Sequence, residues 1–334
     1  ATVSNAYNRP DQLSPSLRST ILTAARELGY PGPDAAGRAL RSGRAGAVGV
    51  LLTERLAYAF SDPYAIGFLA GLSEVVEESR VSIVLMPLAL DGDQPDLTAV
   101  RSAAIDALAI LCISDVHPAI ELARARGIRI IGTAVSEDPA SSWVAIDDED
   151  AGERVARHLT ALGHRRIAVI ADTNAPAGSE PARLRVEEVT CLDCSARLRG
   201  LLRVLEEDAL TVVSAGHNAT SSGVRATELL LAEPSAVTAV VGLSDVLALG
   251  AVSALTAAGK AIPAEVSVCG FDDIAPAAEA GLTTVRQPIV EKGRQVGRRL
   301  VDPTVHPPQL LLPIELIART STGPVPDPVV NRAG

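Results

Sequence analysis

Residues 144–172 read VAIDDEDAGERVARHLTALGHRRIAVIAD, and their pattern decides the fold. An apolar run at Val144–Ile146 comes first, and an amphipathic stretch follows at Glu149–Leu162. Gly163 ends that stretch, and a second apolar run occupies Ile167–Ala171. Short apolar runs that alternate with helical stretches are typical of parallel strands buried on both faces and connected by helices. The stretch therefore predicts an α/β fold.

The same alternation extends in both directions from this stretch. Further strand candidates are Val48 to Leu52, Ser82 to Met86, Ala107 to Ile113, Arg129 to Gly132, Thr211 to Ser214, Ala239 to Val241 and Val266 to Phe271. Helical candidates between them include Tyr64 to Ser79 and Asp245 to Ala258. Because about ten strands exceed one comfortable sheet, we expect two similar lobes, each built on a parallel sheet. The cleft between such lobes is the default place for a small ligand.

The length and hydropathy of the chain limit the classes to which it can belong. Its 334 residues suit about two or three compact units. No apolar run reaches the roughly 18 to 20 residues that span a bilayer, and Ala1 to Arg26 is too polar for a signal peptide. We therefore predict a cytoplasmic protein with no membrane partner.

Four cysteines, Cys112, Cys191, Cys194 and Cys269, include one Cys-x-x-Cys spacing. Neither a second cysteine pair nor a histidine pair stands at zinc-ligand spacing. A reduced thiol pair on a loop explains the spacing better than a metal or redox site does. We therefore predict no metal and no cofactor.

The net charge of −10 is unevenly distributed along the chain. Residues 1–46 hold six arginines against three acidic residues, so the first segment is basic and the remainder is strongly acidic. A basic head on an acidic body suits local contact with nucleic-acid phosphates, although a solvated arm would show the same excess. Almost all basic residues are arginines; the exceptions are Lys260 and Lys292, which we interpret as a compositional habit.

The basic segment has the pattern of short helices. Ser14 is a suitable N-cap, Pro15 suits the first helical position, and Gly29 stops the helix that they begin. Thr2 to Asn8 is a second helical candidate before it, and Ala35 to Gly43 has the composition of a linker.

Catalytic motifs are missing, but carboxylates follow several predicted strands. No phosphate-binding loop, dinucleotide fingerprint or nucleophile elbow occurs, so we predict that the chain is not an enzyme. Carboxylates directly follow apolar runs at four positions, Asp147, Asp245, Asp272 and Asp273. Such residues serve as turn and cap residues, as ligand-binding groups or as a catalytic pair. We favour ligand binding, because the adjacent Asp272 and Asp273 should point in different directions from a turn.

An ordered series of motifs resembles the lactose-repressor (LacI) family of transcription regulators. In the first segment the series comprises Thr2-Val3-Ser4, Asn8, Ser14, Arg18, Glu27-Leu28-Gly29-Tyr30 and Arg38-Ala39-Leu40-Arg41-Ser42-Gly43-Arg44. In the remainder it comprises Ser61-Asp62-Pro63-Tyr64, Val144 to Gly152, Leu162 to Ala168, Arg197 to Gly200, Ser244-Asp245, Gly270-Phe271-Asp272-Asp273, Gln287-Pro288 and Arg319 to Thr322. The resemblance covers nearly the whole chain.

This resemblance implies a two-lobed periplasmic-binding-protein-like core of parallel sheets flanked by helices, preceded by a partial helix-turn-helix headpiece and a hinge. The implied division is a headpiece at 1–32, a hinge helix and linker at 33–46, a first lobe at 47–162 with 289–309, a second lobe at 163–288 with 310–322, and a tail at 323–334. A strand near 310–318 is expected in the second lobe, and the chain is expected to cross between the lobes three times.

In the headpiece, the resemblance implies contacts from a recognition helix and a hinge to DNA. The implied DNA-binding positions are Thr2, Ser4, Asn5, Asn8, Ser14, Arg18, Arg38 and Leu40. Leu40 matches the hinge leucine that family members insert into the minor groove. The family's first helix and turn would precede Ala1, so we expect either a truncated sequence or a loss of DNA binding.

In the core, Arg197 and Asp272 match the family's main effector-binding pair. The further cleft candidates are Tyr64, Asp62, Asp147, Asn218, Ser244, Asp245 and Phe271. An arginine and carboxylates suit the hydroxyls of a sugar, because buried charged groups without partners cost free energy. Asn218 stands where relatives often place an aromatic residue that stacks on the ligand. The polar stretch Asp172 to Cys194 is longer than usual for the family and predicts a flexible excursion near the cleft mouth.

Together these features predict a ligand-responsive transcriptional repressor. Its expected partners are operator DNA and a small-molecule effector, with a sugar favoured. Family members dimerise through their cores, and no leucine heptads follow Thr322, so we expect a homodimer. Two alternatives stay open, namely a solute-binding protein without DNA-binding activity and an enzyme on the same scaffold.

Overall fold

A computed structural model gives the fold of the chain. It describes residues 2–8, 10–32, 37, 43–52, 56–88, 95–113, 116–175, 178–232 and 237–325. The predicted hinge residues Arg38 and Leu40 and most of the predicted tail lie outside the described residues.

Helices and strands alternate along the described chain. The α-helices are α1 Thr2–Asn8, α2 Pro15–Glu27, α3 Leu56–Ala59, α4 Pro63–Glu78, α5 Thr98–Ser102, α6 Pro118–Ala125, α7 Asp148–Ala161, α8 Leu192–Leu202, α9 Thr220–Leu231, α10 Asp245–Ala257, α11 Ala275–Glu279 and α12 Ile289–Val301. The strands are β1 Ala47–Leu52, β2 Ser82–Pro87, β3 Ala107–Ile110, β4 Arg129–Gly132, β5 Ser142–Ala145, β6 Ile167–Asp172, β7 Ala182–Leu184, β8 Leu210–Gly216, β9 Ala239–Gly242, β10 Ser267–Asp272, β11 Thr283–Arg286, β12 Gln309–Leu311 and β13 Glu315–Ile317. Within the described chain, we find no helix with the length and apolar character that a membrane span requires.

The strands form two sheets, and each sheet is the centre of one lobe. In the first lobe, six parallel strands lie in the order β12-β5-β4-β3-β1-β2. In the second lobe, seven strands lie in the order β13-β11-β10-β9-β6-β8-β7, with the two edge strands antiparallel to their neighbours. Every position of β1, β3, β9 and β10 is buried, as strands covered by helices on both faces require. The predicted two-lobed α/β fold is confirmed.

The helix within residues 144–172 belongs to the second lobe, which corrects the predicted boundary at residue 162. β5 lies in the first sheet and β6 in the second, so the chain crosses between the lobes here. α7 packs through Val155 and Leu159 into the core beneath β6 and α8, whereas Ile146 still packs in the first-lobe core. The amphipathic pattern of α7 shows that one face is buried, but it does not show against which sheet.

The strand predicted near residues 310–318 is two strands in different lobes, which is a second correction. β12 pairs with β5 in the first sheet, and β13 pairs with β11 in the second. α12 packs against α4 and near β3, β4 and β5, so it belongs to the first lobe. The chain therefore crosses between the lobes after β5, after β11 and after β12.

The described part of the stretch from Asp172 to Cys194 lies near the cleft, as predicted, and is folded onto the second lobe. β7 adds an antiparallel edge strand to β8. Val189 and Cys191 are buried in the second-lobe core. The segment therefore leads directly into α8, which contains Arg197.

The described part of the first segment is the helix pair α1 and α2. The Ser14 side chain caps α2 by accepting a hydrogen bond from a backbone N–H in its first turn at 3.3 Å. Arg18 donates from Nε to the backbone oxygen of the fully buried Ala6 at 3.0 Å. The rings of Tyr7 and Tyr30 meet edge to face, 6.1 Å between centroids. These contacts fix the two helices against each other.

Candidate ligand site between the lobes

A cavity of about 120 Å³ lies between the lobes. Its first-lobe lining consists of Leu52, Asp62, Tyr64, Ala65, Leu111 and Cys112. Its second-lobe lining consists of Asp172, Asn174, Cys191, Asp193, Cys194, Arg197, Asn218, Leu243, Ser244, Leu247 and Asp272. Many of these residues stand at or just after the carboxyl ends of parallel strands, where α/β proteins bind their ligands.

Arg197 is the centre of the polar side of the cavity. It is 5% exposed, and its guanidinium stacks on the ring of Phe271 at 4.8 Å from the centroid. Nε donates to Oδ1 of Asp148 at 2.8 Å, and Nη1 donates to the backbone oxygen of Leu243 at 2.6 Å. Nη2 lies 3.5 Å from Oδ1 of Asp272, which is longer than the roughly 2.7–2.9 Å of a close charge-assisted bond. This side of the guanidinium therefore retains the capacity to donate to a ligand.

Asp272 faces Arg197 from the end of β10. Its φ of 112° is strained for a residue with a side chain, and the turn directs Asp272 into the cavity while Asp273 accepts a hydrogen bond from Arg319 outside it. Gln287 donates from Nε2 to Oδ1 of Asp272 at 2.6 Å. Among the described residues, both side-chain contacts of Asp272 reach Oδ1, so Oδ2 is available to a ligand. Burial raises the pKa of Asp272 to about 7, against the lowering effects of Arg197 and Gln287.

Gln287 holds a second unused hydrogen-bonding atom beside the cavity. The residue is 5% exposed, and its Oε1 accepts no hydrogen bond from the part of the chain that the structure describes. A buried acceptor without a partner costs about 1–3 kcal/mol. The donor that this oxygen needs must come from a ligand or from solvent.

Asp148, and not the predicted Asp147, is the carboxylate that pairs with Arg197. Asp147 caps α7 by accepting a hydrogen bond from the backbone N–H of Asp150 at 2.8 Å, and it does not line the cavity. Asp148 is 8% exposed, and burial raises its pKa to about 6 although Arg197 lowers it. The helix start thus divides two adjacent aspartates between capping the helix and pairing with Arg197.

Two glycines let α7 and α8 approach closely enough to bring Asp148 and Arg197 together. A Cβ atom at Gly152 would lie 2.0 Å from the backbone oxygen of Arg197, and one at Gly200 would lie 2.0 Å from that of Glu149. Any larger side chain at either position would force the helices apart. Gly152 and Gly200 therefore set the position of the arginine.

The first lobe contributes Asp62 and Tyr64 from the start of α4. Asp62 caps the helix by accepting a hydrogen bond from the backbone N–H of Ala65 at 3.0 Å. Burial raises the pKa of Tyr64 to about 12, against the lowering effect of Lys292. Nζ of Lys292, a residue only 3% exposed, lies 5.7 Å from the centroid of the Tyr64 ring. Tyr64 therefore presents a neutral phenol to the cavity.

Asn218 and Ser244 line the second-lobe side of the cavity. Ser244 donates from Oγ to Oδ1 of Asn218 at 2.5 Å and caps α10 by accepting from the backbone N–H of Leu247 at 3.2 Å. The amide of Asn218 thus occupies the position at which family members often have an aromatic residue that stacks on the ligand. The aromatic residue in the lining is Tyr64, which comes from the opposite lobe.

Asp245 and Phe271 support the site from behind and do not line the cavity, which corrects their predicted place. Asp245 is fully buried, and it accepts hydrogen bonds from the Thr284 hydroxyl at 2.6 Å and from the backbone N–H of Ile274 at 3.0 Å. Burial raises the pKa of Asp245 to about 8. Phe271 is 1% exposed and contacts the guanidinium of Arg197.

Three cysteines lie at the cavity and not on a loop, which corrects the prediction for the Cys-x-x-Cys pair. Cys191 is the N-cap of α8, Cys194 lies in its first turn, and each is 5% exposed. Cys112 follows β3 in the first lobe, and its Sγ lies 3.6 Å from that of Cys191. The four cysteines are free thiols. No cluster of three or more His, Cys, Asp or Glu residues in the described ranges is arranged to hold a metal ion.

Sequence reasoning missed Asp148, Gln287 and Lys292. Asp148 was detectable, because the N-cap preference assigns its neighbour Asp147 to the helix end and leaves Asp148 to pair with a cation such as Arg197. Lys292 is one of two lysines in a chain that otherwise uses arginine, and that exception was the available signal. Gln287 had no signal besides its place in the Gln287-Pro288 motif.

The predicted DNA-binding residues of the headpiece lie on or beside α1 and α2. The described positions are Thr2, Ser4, Asn5, Asn8, Ser14 and Arg18, with the side chain of Asn8 outside the described part. Thr2 is exposed, and Asn5 donates to the side chain of Gln12 at 3.2 Å. Ser14 caps a helix and Arg18 joins the two helices, so both have a structural task within the headpiece.

Known proteins match the chain over both lobes. Residues 156–322 match the family model for a periplasmic binding protein-like domain. An HTH-type transcriptional regulator of Mycolicibacterium smegmatis is 37% identical over 316 residues, which cover 90% of this chain and 86% of that protein. The HTH-type transcriptional regulator IpsA of Corynebacterium glutamicum is 34% identical over 309 residues, with coverage of 90% and 86%.

Solved structures of transcription regulators are also similar to most of the chain. A LacI family transcriptional regulator from Corynebacterium glutamicum is 29% identical with a TM-score of 0.75, covering 96% of this chain and 94% of that chain. The complex of the regulator CelR with cellobiose is 27% identical with a TM-score of 0.68, with coverage of 95% and 94%. A LacI family regulator from Enterococcus faecium with bound ribose is 27% identical with a TM-score of 0.66, with coverage of 84% and 99%.

Proposed function

The chain belongs to the lactose-repressor (LacI) family of transcription regulators, and we propose that it binds a sugar or a related polyhydroxylated molecule between its lobes. In this proposal, the binding of that effector changes the affinity of the protein for operator DNA. Regulation of this kind requires only that the effector favour one arrangement of the lobes over another.

The observation that carries the proposal is the incompletely paired Arg197 and Asp272 at the cavity. Nη2 of Arg197 lies 3.5 Å from Oδ1 of Asp272, and Oδ2 of Asp272 is available, while Gln287 holds Oδ1 from behind. A carboxylate and a guanidinium together accept from and donate to the neighbouring hydroxyl groups of one sugar ring. The bound sugars of two related structures, cellobiose and ribose, support the same class of effector.

The charge of the lining favours a neutral effector. Four aspartates and one arginine line the cavity: Asp62, Asp172, Asp193, Asp272 and Arg197. A phosphate or carboxylate on the effector would be repelled by this excess of acids, whereas hydroxyl groups donate to them. We therefore assign the effector to the neutral sugars and polyols, and not to the sugar phosphates.

Asp106 connects the DNA-binding segment to the first lobe. Its carboxylate accepts hydrogen bonds from the backbone N–H groups of Ala45 at 2.7 Å and Gly46 at 2.9 Å. These bonds join the entry of the core to the start of β3, the strand that leads to Leu111 and Cys112 in the cavity lining. A change in the relative angle of the lobes would therefore move the point from which the DNA-binding segment leaves the core.

An apolar groove of about 420 Å³ on the first lobe supports a homodimer. It lies on α3, α4 and the edge strand β2, and it contains the exposed Phe60 at 67% and Ile66 at 46%. Large exposed apolar patches mark interaction surfaces. We assign this groove to a second copy of the chain, which would bring two DNA-binding segments to one palindromic operator in the cytoplasm.

Two other functions receive less support. The relatives with high coverage are transcription regulators, which speaks against a plain solute-binding protein. They are also not enzymes, and burial is the largest cause of the raised pKa values of Asp172 and Asp272 at the cavity. Ligand binding accounts for the same carboxylates without a reaction.

The test is a thermal-shift screen of the purified protein against cellobiose, ribose, other neutral sugars, polyols and their phosphates. Asp272→Asn and Asp273→Asn form a matched pair, because the two residues are adjacent but only Asp272 lines the cavity. We expect a neutral sugar or polyol to raise the melting temperature of the native protein and of Asp273→Asn. The same ligand should stabilise Asp272→Asn at least tenfold more weakly in apparent Kd, about 1.4 kcal/mol.

Equal stabilisation of both variants would exclude Asp272 from the site. A response to sugar phosphates alone would refute the assignment to neutral effectors. A purified protein that responds to a sugar but shows no change in DNA affinity in selection from a random duplex library would favour the solute-binding alternative.

A further inference from the structure

Cys112 and Cys191 bring one thiol from each lobe together at the edge of the cavity. Cys112 follows β3 in the first lobe, and Cys191 is the N-cap of α8 in the second. Their sulfur atoms are 3.6 Å apart, close to van der Waals contact. Cys112 packs against the second-lobe core, so the contact spans the boundary between the lobes.

A bond between these sulfurs would fix the lobes relative to each other. A disulfide needs an S–S distance of about 2 Å, so the two sulfurs must approach by less than two ångströms from their present positions. Cys112 and Cys191 are 79 positions apart in sequence and belong to different sheets. Arg197 lies on the same helix as Cys191, so the bond would also hold the ligand-binding arginine at a fixed distance from the first lobe.

We propose that Cys112 and Cys191 are an oxidisable pair whose disulfide locks the two lobes in the closed arrangement. The site is a modification site for a small hydroperoxide, which reaches the half-buried Cys112 more readily than the buried Cys191. This disulfide is distinct from effector binding, since it joins the two lobes by a covalent bond. The disulfide forms independently of the effector and of DNA.

The chemistry balances in two steps. The sulfur of Cys112 attacks one oxygen of a hydroperoxide ROOH, the O–O bond breaks, and the products are a sulfenic acid at Cys112 and the alcohol ROH. The sulfur of Cys191 then attacks the sulfenic sulfur, the S–O bond breaks, and water leaves with the thiol proton. The two thiols lose two electrons and two protons in total, and the peroxide gains them as alcohol and water.

The surroundings of the two thiols make the reaction conditional on opening of the cleft. The hydrogen bond to Cys191 and burial raise the pKa of Cys112 well above its ordinary value. For Cys191, the contact with Cys112 lowers the pKa, but the contact with Cys194 and burial raise it by more. The thiolate is the attacking form, so the closed cleft keeps both sulfurs protonated and slow to react. Opening of the lobes exposes the pair to solvent, and reclosure brings the sulfenic acid to its partner.

The experiment treats the reduced full chain with hydrogen peroxide, blocks the remaining thiols with N-ethylmaleimide and maps the peptides by mass spectrometry without reduction. We expect the four free thiols to fall to two, and the residues 112 and 191 to appear in one cross-linked peptide pair. Cys112→Ser should lose this cross-link. Cys269→Ser is the matched control, because Cys269 is fully buried in the second-lobe core and does not line the cavity, and this variant should form the cross-link normally.

The lock is measured separately by small-angle X-ray scattering of the native chain and of Cys112→Ser before and after oxidation. Oxidation should narrow the distribution of interatomic distances of the native chain and leave that of Cys112→Ser unchanged. A cross-link between residues 191 and 194 in place of 112 and 191 would overturn the proposal, and so would four thiols that remain free. A cross-link between Cys112 and Cys191 that leaves the scattering unchanged would show that the disulfide does not fix the lobes relative to each other.

Discussion

The two lobes face the same cavity with different kinds of surface. The second lobe supplies Arg197 and Asp272, whose side chains are fixed by bonds to other protein groups. The first lobe supplies mainly apolar groups such as Leu52 and Leu111, with Tyr64 and the helix-capping Asp62 as its polar residues. The difference indicates that the second lobe orients an effector and that the first lobe covers it and excludes water.

This division has a physical reason. A polar group that is fixed before binding loses little conformational entropy when the ligand arrives, so recognition is best built within one rigid unit. In the second lobe, α7, α8 and β10 pack into one core, and Asp148, Arg197 and Phe271 belong to it. In the proposed function the first lobe moves relative to this unit, so directional bonds from it would have to form again at each closure.

The largest difference in stability should appear between two variants that each lack one arginine, buried in the second lobe or exposed in the first. Arg197→Ala leaves Asp148 and Asp272 without their cation, and breaking a buried pair in this way costs about 3–5 kcal/mol of unfolding free energy. Arg294→Ala in the first lobe removes an ion pair with Glu74 at the surface, and we expect a much smaller loss of unfolding free energy, because solvent screens exposed charges. Urea unfolding of both variants measures the two values. Similar losses would show that the cluster around Arg197 is no more tightly organised than the surface.

A smaller effect is expected from the close approach of α7 and α8. Gly152→Ala places a Cβ atom 2.0 Å from a backbone oxygen, which cannot rotate away, so we expect a loss of about 1–3 kcal/mol. Gly67→Ala in α4 is the first-lobe control, because its nearest neighbour is the side chain of Ile289 at 3.1 Å, which can shift. Denaturant midpoints give the comparison, and an equal shift in both variants would contradict a backbone clash at Gly152.

Much of the fold follows from the sequence, but the division into lobes does so only in part. The alternation around residues 144–172 predicts both the strands and the helix, since burial on two faces produces short apolar runs. It does not reveal that α7 packs on the second sheet, because an amphipathic face is the same whichever sheet covers it. The split of residues 309–317 between β12 and β13 is not predicted for a related reason, since the connection at residues 312–314 changes the pairing partner but not the apolar character.

The candidate site shows the same limit at the level of single residues. Carboxylates at strand ends are visible in the sequence, but whether one caps a helix, supports the core or faces the cavity depends on a turn of the backbone. Asp147 and Asp148 are neighbours with different tasks, and so are Asp272 and Asp273. Positive φ values at Asp272 and Asp273 produce the second division, and residue type alone does not predict them.

The comparison predicts that the pH dependence of stability comes from the second lobe. Burial raises the pKa of Asp245 to about 8, of Asp272 to about 7 and of Asp172 to about 6. A carboxyl whose pKa is raised on folding binds its proton more tightly in the native state, so its contribution to stability is present at low pH and is lost as the pH rises through the folded pKa. We therefore expect the free energy of unfolding of the ligand-free protein to fall steadily between pH 6 and pH 8.5, chiefly through Asp245 and Asp272.

Urea unfolding at several pH values measures this slope. Asp245→Asn should reduce it, because the substitution removes the group with the highest of these pKa values while its size is preserved. Asp96→Asn in the first lobe is the control and should leave the slope between pH 6 and pH 8.5 unchanged, because hydrogen bonds from Thr98 lower the pKa of Asp96. A stability that rises over this range would contradict the direction of the pKa shifts.

The smallest effect should come from the hydroxyl group that Tyr64 of the first lobe presents to the effector. Tyr64→Phe keeps the aromatic ring beneath Nζ of Lys292 and removes only the hydroxyl, whose pKa near 12 makes it a neutral donor. Because a net hydrogen bond contributes about 0.5–1.5 kcal/mol, the affinity for the sugar that the screen identifies should fall by roughly threefold to tenfold. Calorimetric titration gives the value, with Asp273→Asn as the reference that retains native affinity. A loss of a hundredfold or more would place recognition in the first lobe as much as in the second, and the division of roles between the lobes would then be wrong.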